Sequence, residues 1–133
     1  MNKIKVAVMN TSKEVTDMLQ NVLSDEGFET SAIFTYIFKN KNVGLEEYVE
    51  INNPDVVLYD IAIPYDENYK LFKDLSPILD KYQIPYVVTT TNKKALDQIV
   101  GETPAYELIG KPYDLEVIVS ALKNAYSKKV KVI

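Results

Sequence analysis

The feature that most constrains this chain is a regular alternation of short apolar runs with stretches whose apolar residues recur at helical spacing. Val56-Val57-Leu58-Tyr59-Asp60 is the clearest run: no polar face, and a carboxylate at its end. A strand of that kind is covered on both sides, as in a parallel sheet lying between helix layers. Ile4 to Met9 and Tyr86 to Thr90 are runs of the same type, and Glu29 to Phe34 and Glu107 to Ile109 read as weaker strands. Between them, helix faces are carried by Val15, Met18, Leu19, Val22 and Leu23, then by Leu45, Tyr48 and Val49. Leu71, Phe72, Leu75, Ile78, Leu79 and Tyr82 make a third face, and Ala95, Leu96, Ile99 and Val100 a fourth. Leu115, Ile118, Val119, Leu122, Ala125 and Tyr126 make the last. Five strands alternating with five helices predict an α/β fold with a doubly wound, five-stranded parallel sheet.

Punctuation along the chain fits this order. Asn10, Thr11 or Ser12 can cap the first helix, and Gly27 suits its end. The polar stretch from Lys39 to Gly44 reads as a loop, and Asn53-Pro54-Asp55 as a break before the central strand. Pro77 falls inside a helical pattern and predicts a kink or a restart with Ser76 as a new cap. Asp114 is the expected cap of the final helix. Ser127 to Ile133 alternates Lys and Val and reads as a frayed end or a linker stub. With 133 residues the chain fits one domain, expected at 1–127 with a tail at 128–133.

Absences narrow the chemistry. The chain has no His and no Cys, which removes Ser-His-Asp and Cys-His nucleophilic sites, the usual zinc sites, disulfides and thiol redox chemistry. All 15 basic residues are Lys, so no guanidinium fork is available for phosphate. A net charge of −4 argues against nucleic acid as a direct partner. No apolar run approaches the ~20 residues of a membrane span. Met1-Asn2-Lys3-Ile4-Lys5 leads straight into a core strand rather than a signal peptide. A cytoplasmic location is expected.

Folds of this class place their sites beyond the carboxyl ends of the strands, where the strand order reverses. In the order 2-1-3-4-5, Asn10-Thr11 and Asp60 face each other across that crevice. Thr90 and Lys111, at the ends of strands four and five, line the same edge.

Pro54-Asp55-Val56-Val57-Leu58-Tyr59-Asp60-Ile61-Ala62-Ile63-Pro64 closely resembles the phospho-acceptor strand and loop of response-regulator receiver domains, which have a flavodoxin-like fold. Pro64 stands four residues after the aspartate, Thr90 at the end of strand four, and Lys111-Pro112 after strand five, as in that family. The resemblance covers nearly the whole chain. It implies that Asp60 accepts a phosphoryl group from a histidine kinase or phosphotransfer protein. It also implies that Lys111 gives a point charge to the phosphoryl oxygens and that Thr90 donates a hydroxyl hydrogen bond. The Lys111-Pro112 bond is expected to be cis, as is common in the family. Output is expected through a protein partner or homodimer on the face of helix four, strand five and helix five. No enzyme activity is implied beyond self-catalysed phosphorylation and dephosphorylation.

The departures from the family pattern point to chemistry of their own. Two acidic residues after strand one normally hold Mg²⁺; here those positions are Asn10 and Thr11. A Mg²⁺ site built from Asp60, Asn10 and the Ala62 carbonyl is therefore expected to be weak or absent, since Mg²⁺ favours carboxylate oxygens. One carboxylate facing one lysine suits a direct Asp60–Lys111 ion pair. Tyr65-Asp66-Glu67-Asn68 replaces the family's Gly-Met-Asp-Gly, with Asn68 expected to take a left-handed conformation. Leu108 stands at the aromatic switch position, with Tyr106 nearby. A phosphorylation-independent pseudo-receiver with the same partner surface is the second reading. A flavin-mononucleotide carrier of flavodoxin type, with Thr11, Ser12 and Thr16 cradling the phosphate, is the third. The glycine of that phosphate loop is missing, and a colourless protein would exclude it.

Overall fold

The computed structural model describes residues 3–10, 13–34, 44–107 and 112–132. Strands β1 (Lys5–Asn10), β2 (Glu29–Phe34), β3 (Val56–Asp60), β4 (Tyr86–Thr90) and β5 (Tyr106–Glu107) form one parallel sheet in the order β2-β1-β3-β4-β5. Helices α1 (Lys13–Asp25), α2 (Leu45–Asn52), α3 (Tyr65–Lys81), α4 (Lys93–Val100) and α5 (Pro112–Val132) alternate with them. The doubly wound arrangement predicted from the apolar runs is the one observed.

Alternation along the strands divides the core in two. Ala7, Met9, Val57, Tyr59 and Val88 face one way and pack with Tyr48, Val49, Leu75, Leu79 and Leu96 of α2, α3 and α4. Val6, Val8, Val56, Leu58 and Val87 face the other way and pack with Leu19, Leu23, Ile118 and Leu122 of α1 and α5. Every residue of β3 is buried, which explains its unbroken apolar run. Full burial of each such aliphatic side chain contributes about 1.5–3 kcal/mol.

The ends of the elements follow local chemistry. Gly27 takes φ +92°, past the end of α1, where a side chain would be strained. Asn53 closes α2 in a left-handed conformation, its N–H donating to Val49 O. The Asn92 side chain accepts from the Ala95 N–H and caps α4.

Three expectations are corrected here. Of the kink or restart expected at Pro77, the restart with Ser76 as cap is not seen: α3 is one helix across it, with Leu71, Leu75 and Leu79 on a single buried stripe. Asp114 is not the cap of α5, which already begins at Pro112; a proline is suited to the first helical position, where no N–H is needed. The stretch after Ser127 is not frayed, and α5 runs to Val132. Leu122 is the last fully buried residue of α5 among the described side chains, and Ala125, one turn on, still packs against the core.

Candidate functional site

The carboxyl edge of the sheet is where β1, β3 and β4 end together. Met9 pairs with Tyr59, so Asn10 and Asp60 end adjacent strands, and Asp60 is in register with Thr89 of β4. Asp60 is only 3% exposed. Its Oδ1 accepts a 2.8 Å hydrogen bond from the Thr89 hydroxyl.

The next two residues are tied down as well. The Ile61 N–H donates to Thr89 O at 2.8 Å, and the Thr90 hydroxyl donates to Ile61 O at 2.8 Å. Asn68 Nδ2 donates to Ala62 O at 2.7 Å. Asn68 itself is held by the Tyr59 hydroxyl, which donates to its backbone carbonyl at 3.0 Å. Thr89, Thr90 and Asn68 are all buried. Burial, and after it the negative charge of the adjacent Asp60, push the Tyr59 hydroxyl far above its ordinary pKa. Tyr59 therefore stays a neutral donor across the physiological range, and its ring packs against Phe72 at 5.3 Å between centroids.

The sequence-predicted residues separate as follows. Asp60 and Thr90 lie at the expected edge, but the hydroxyl on the Asp60 carboxylate belongs to Thr89, while Thr90 serves the Ile61 carbonyl. The Ala62 carbonyl is at the mouth of the β3–α3 loop with Asn68 bonded to it. Asn10 is placed by its backbone at the end of β1. Thr11, Ser12, Lys111, Leu108 and the loop from Lys39 to Val43 lie outside the described residues, and so does the Lys111-Pro112 bond. The cis peptide among the described residues is Ile63-Pro64. Asn68 is not left-handed as expected: it sits in the first turns of α3, and among the described residues the non-glycine residues of positive φ are Asn53 and Gln83. Thr16, one leg of the flavin-phosphate reading, is buried at 1% exposure.

Sequence reasoning missed Thr89 and the buried role of Asn68. Asn68 shares the stripe of Leu71, Leu75 and Leu79, a polar residue on an apolar face that must find an internal partner.

A Mg²⁺ site fits these residues poorly. No group of three or more acidic or other metal-binding side chains is found among the described residues. What remains is one carboxylate already accepting from Thr89 and one carbonyl already accepting from Asn68.

Beyond the edge, α4 and β5 are clasped together. Lys93 Nζ lies 2.7 Å from Asp97 Oδ2 and donates to Thr103 O at 2.6 Å. The Thr103 hydroxyl donates to Asp97 Oδ1 at 2.7 Å, and the Lys93 N–H to Glu107 Oε2 at 2.9 Å. The lysine and Thr103 donors hold the Asp97 carboxyl below its ordinary pKa. Ile99, Tyr106 and Val117, one each from α4, β5 and α5, are exposed. A groove of about 710 Å³ lies between Pro85, Val87, Pro104, Ala121 and Lys128, lined by none of Asp60, Thr89, Thr90 or Asn68. Among the described residues, no helix is long and apolar enough to cross a membrane.

No protein-family model matches the chain. Solved structures do. The chain is similar to a transiently phosphorylated "switch" in bacterial signal transduction, at 22% identity and a TM-score of 0.67, over 97% of this chain and 98% of that one. It is similar to a CheY-like response-regulator receiver domain of Methanospirillum hungatei, at 16% identity and a TM-score of 0.65, over 99% and 100%. It is also similar to the chemotaxis protein CheY4 of Vibrio cholerae, at 20% identity and a TM-score of 0.61, over 93% and 99%. The fold of the chain is that of the response-regulator receiver domain.

Proposed function

We propose that this chain is a receiver module of two-component signal transduction, working in the cytoplasm, with Asp60 as its phospho-acceptor. The observation that carries the reading is the place of Asp60: at the carboxyl end of the central strand, with two threonine hydroxyls of β4 beside it. One carboxylate oxygen attacks the phosphorus of a phosphohistidine donor. The P–N bond breaks, the imidazole leaves with its electron pair, and an acyl phosphate forms on Asp60. Thr89 fixes the plane of the carboxylate. Thr90 must give up the Ile61 carbonyl to reach a phosphoryl oxygen, and that exchange couples the acceptor to the backbone of the β3–α3 loop. Lys111 supplies the balancing positive charge. Output passes to a protein partner or a second copy through α4, β5 and α5, where Ile99, Tyr106 and Val117 are exposed.

A phosphorylation-independent module is the second reading, and a specific observation favours it. Asp60 and Ala62 are already engaged by Thr89 and Asn68, and Asn10 stands where an acid would be. Intact mass after incubation with acetyl phosphate and Mg²⁺, with Asp60→Asn as control, separates the two. A phosphoryl adduct that is lost in the control supports the acceptor. No adduct on a folded protein refutes it and leaves the binding module.

A further inference from the structure

We infer that Asn68 is a positioning residue that takes the place of a divalent cation at the Ala62 carbonyl, so that the edge around Asp60 is organised by side-chain donors and not by metal. The inference rests on the receiver reading of this edge. It deepens that reading by stating how the loop is held.

Three consecutive residues carry it. Asp60, Ile61 and Ala62 each present an oxygen, and each oxygen accepts from a different buried side chain: Thr89, Thr90 and Asn68. The Ala62 carbonyl lies just before α3, and the donor it receives comes from the helix itself, six residues on. Asn68 is 1% exposed and is fixed through its backbone by the Tyr59 hydroxyl and by its own N–H bond to Pro64 O. Its Oδ1 is buried with no hydrogen-bond partner among the described residues. The amide thus leaves its acceptor unmet while its donor stays on Ala62; turning it over would set oxygen against oxygen. The N–H brings partial positive charge to the carbonyl from inside the fold. A Mg²⁺ ion at the same oxygen would meet that charge and find Asp60 as its carboxylate, too few anionic ligands for a cation that dehydrates reluctantly.

Two substitutions test this on the full chain. Asn68→Ala removes the donor, and Asn68→Asp turns the donor into an acceptor of the same shape. Mn²⁺ binding is read by electron paramagnetic resonance, and thermal melts are run with and without millimolar MgCl₂. The wild type is expected to bind Mn²⁺ weakly and to melt at the same temperature with Mg²⁺. Asn68→Ala, freeing a carbonyl worth about one hydrogen bond, is expected to bind about tenfold more tightly. That gain should vanish when Asp60→Asn is added. Asn68→Asp should melt lower than wild type and recover with Mg²⁺. Saturable wild-type binding as tight as that of Asn68→Ala overturns the inference. So does an Asn68→Ala protein, folded by circular dichroism, that binds no better than wild type. The readouts are cation binding and stability, so a failure to accept phosphate refutes the acceptor reading and leaves this result standing.

Discussion

Replacing Thr89 with valine tests how the Asp60 edge is held. Valine keeps the β-branch and the shape of threonine, so strand packing and χ1 preference are preserved. What is lost is the hydroxyl proton on Asp60 Oδ1, in a residue 0% exposed, facing a carboxylate 3% exposed. Water has little access to replace it. A hydrogen bond to a charged acceptor contributes about 1.5–3 kcal/mol, and a neutral one about 0.5–1.5 kcal/mol. Thr90→Val is the matched control: the same chemistry, the same burial and the same 2.8 Å distance, but a neutral carbonyl acceptor. Thr89→Val should therefore cost about twice as much as Thr90→Val. At about 4 °C per kcal/mol for a domain of this size, the melting point should fall by about 6–12 °C in the first and 2–6 °C in the second. Urea unfolding should show a shifted midpoint at an unchanged slope. A cycle with Asp60→Asn then isolates the charged part of the Thr89 contact. If Thr90→Val costs as much as Thr89→Val, or if neither moves the midpoint, the reasoning fails.

Two further outcomes are expected. Pro77 lies exposed inside α3 and lacks the N–H that the helix would use; Pro77→Ala should raise stability in urea by at least about 1 kcal/mol, and a loss of stability would mean that the ring packs usefully. The folded-state pKa of Asp97 is depressed below its ordinary 3.8, first by the Lys93 hydrogen bond. The stability it contributes is therefore present above that value and lost as pH falls through the lower folded pKa. Asp97→Asn should be less stable than wild type at neutral pH, and the two should converge in acid melts; a constant gap down to the lowest pH would refute the role of the charge.

Much of the fold could be read from the residues because its signals are local. The β3 run has no polar face since helices cover both sides, and Pro85 marks the start of β4 to the residue. Gly27 ends α1 where expected. What the residues conceal is tertiary. Pro77 carries a local signal to break the helix, and the buried stripe of Leu71, Leu75 and Leu79 overrides it. At Pro112 and Asp114 two helix-start rules compete, and the proline sets the first turn. Thr89, Thr90 and Thr91 are chemically alike, and only the register of β4 on β3 selects Thr89 for Asp60. Asn68 reads as a turn residue until Ala62 is seen to be three residues before the helix and within its reach.

The length of α5 has a mechanical consequence. Seven residues separate Ala125, the last residue of α5 shown packed against the core among those described, from Val132, and at 1.5 Å per residue they span about 10 Å. Such a rod behaves as a lever whose fulcrum is near Ala125. A tilt of about 5° at the fulcrum sweeps the far end by about 1 Å, and because each residue advances about 100° around the axis, a roll at the root reaches the tip with its phase intact. A structureless tail would damp both movements. A small rearrangement where the helix meets the sheet would thus be carried along its axis as displacement and rotation.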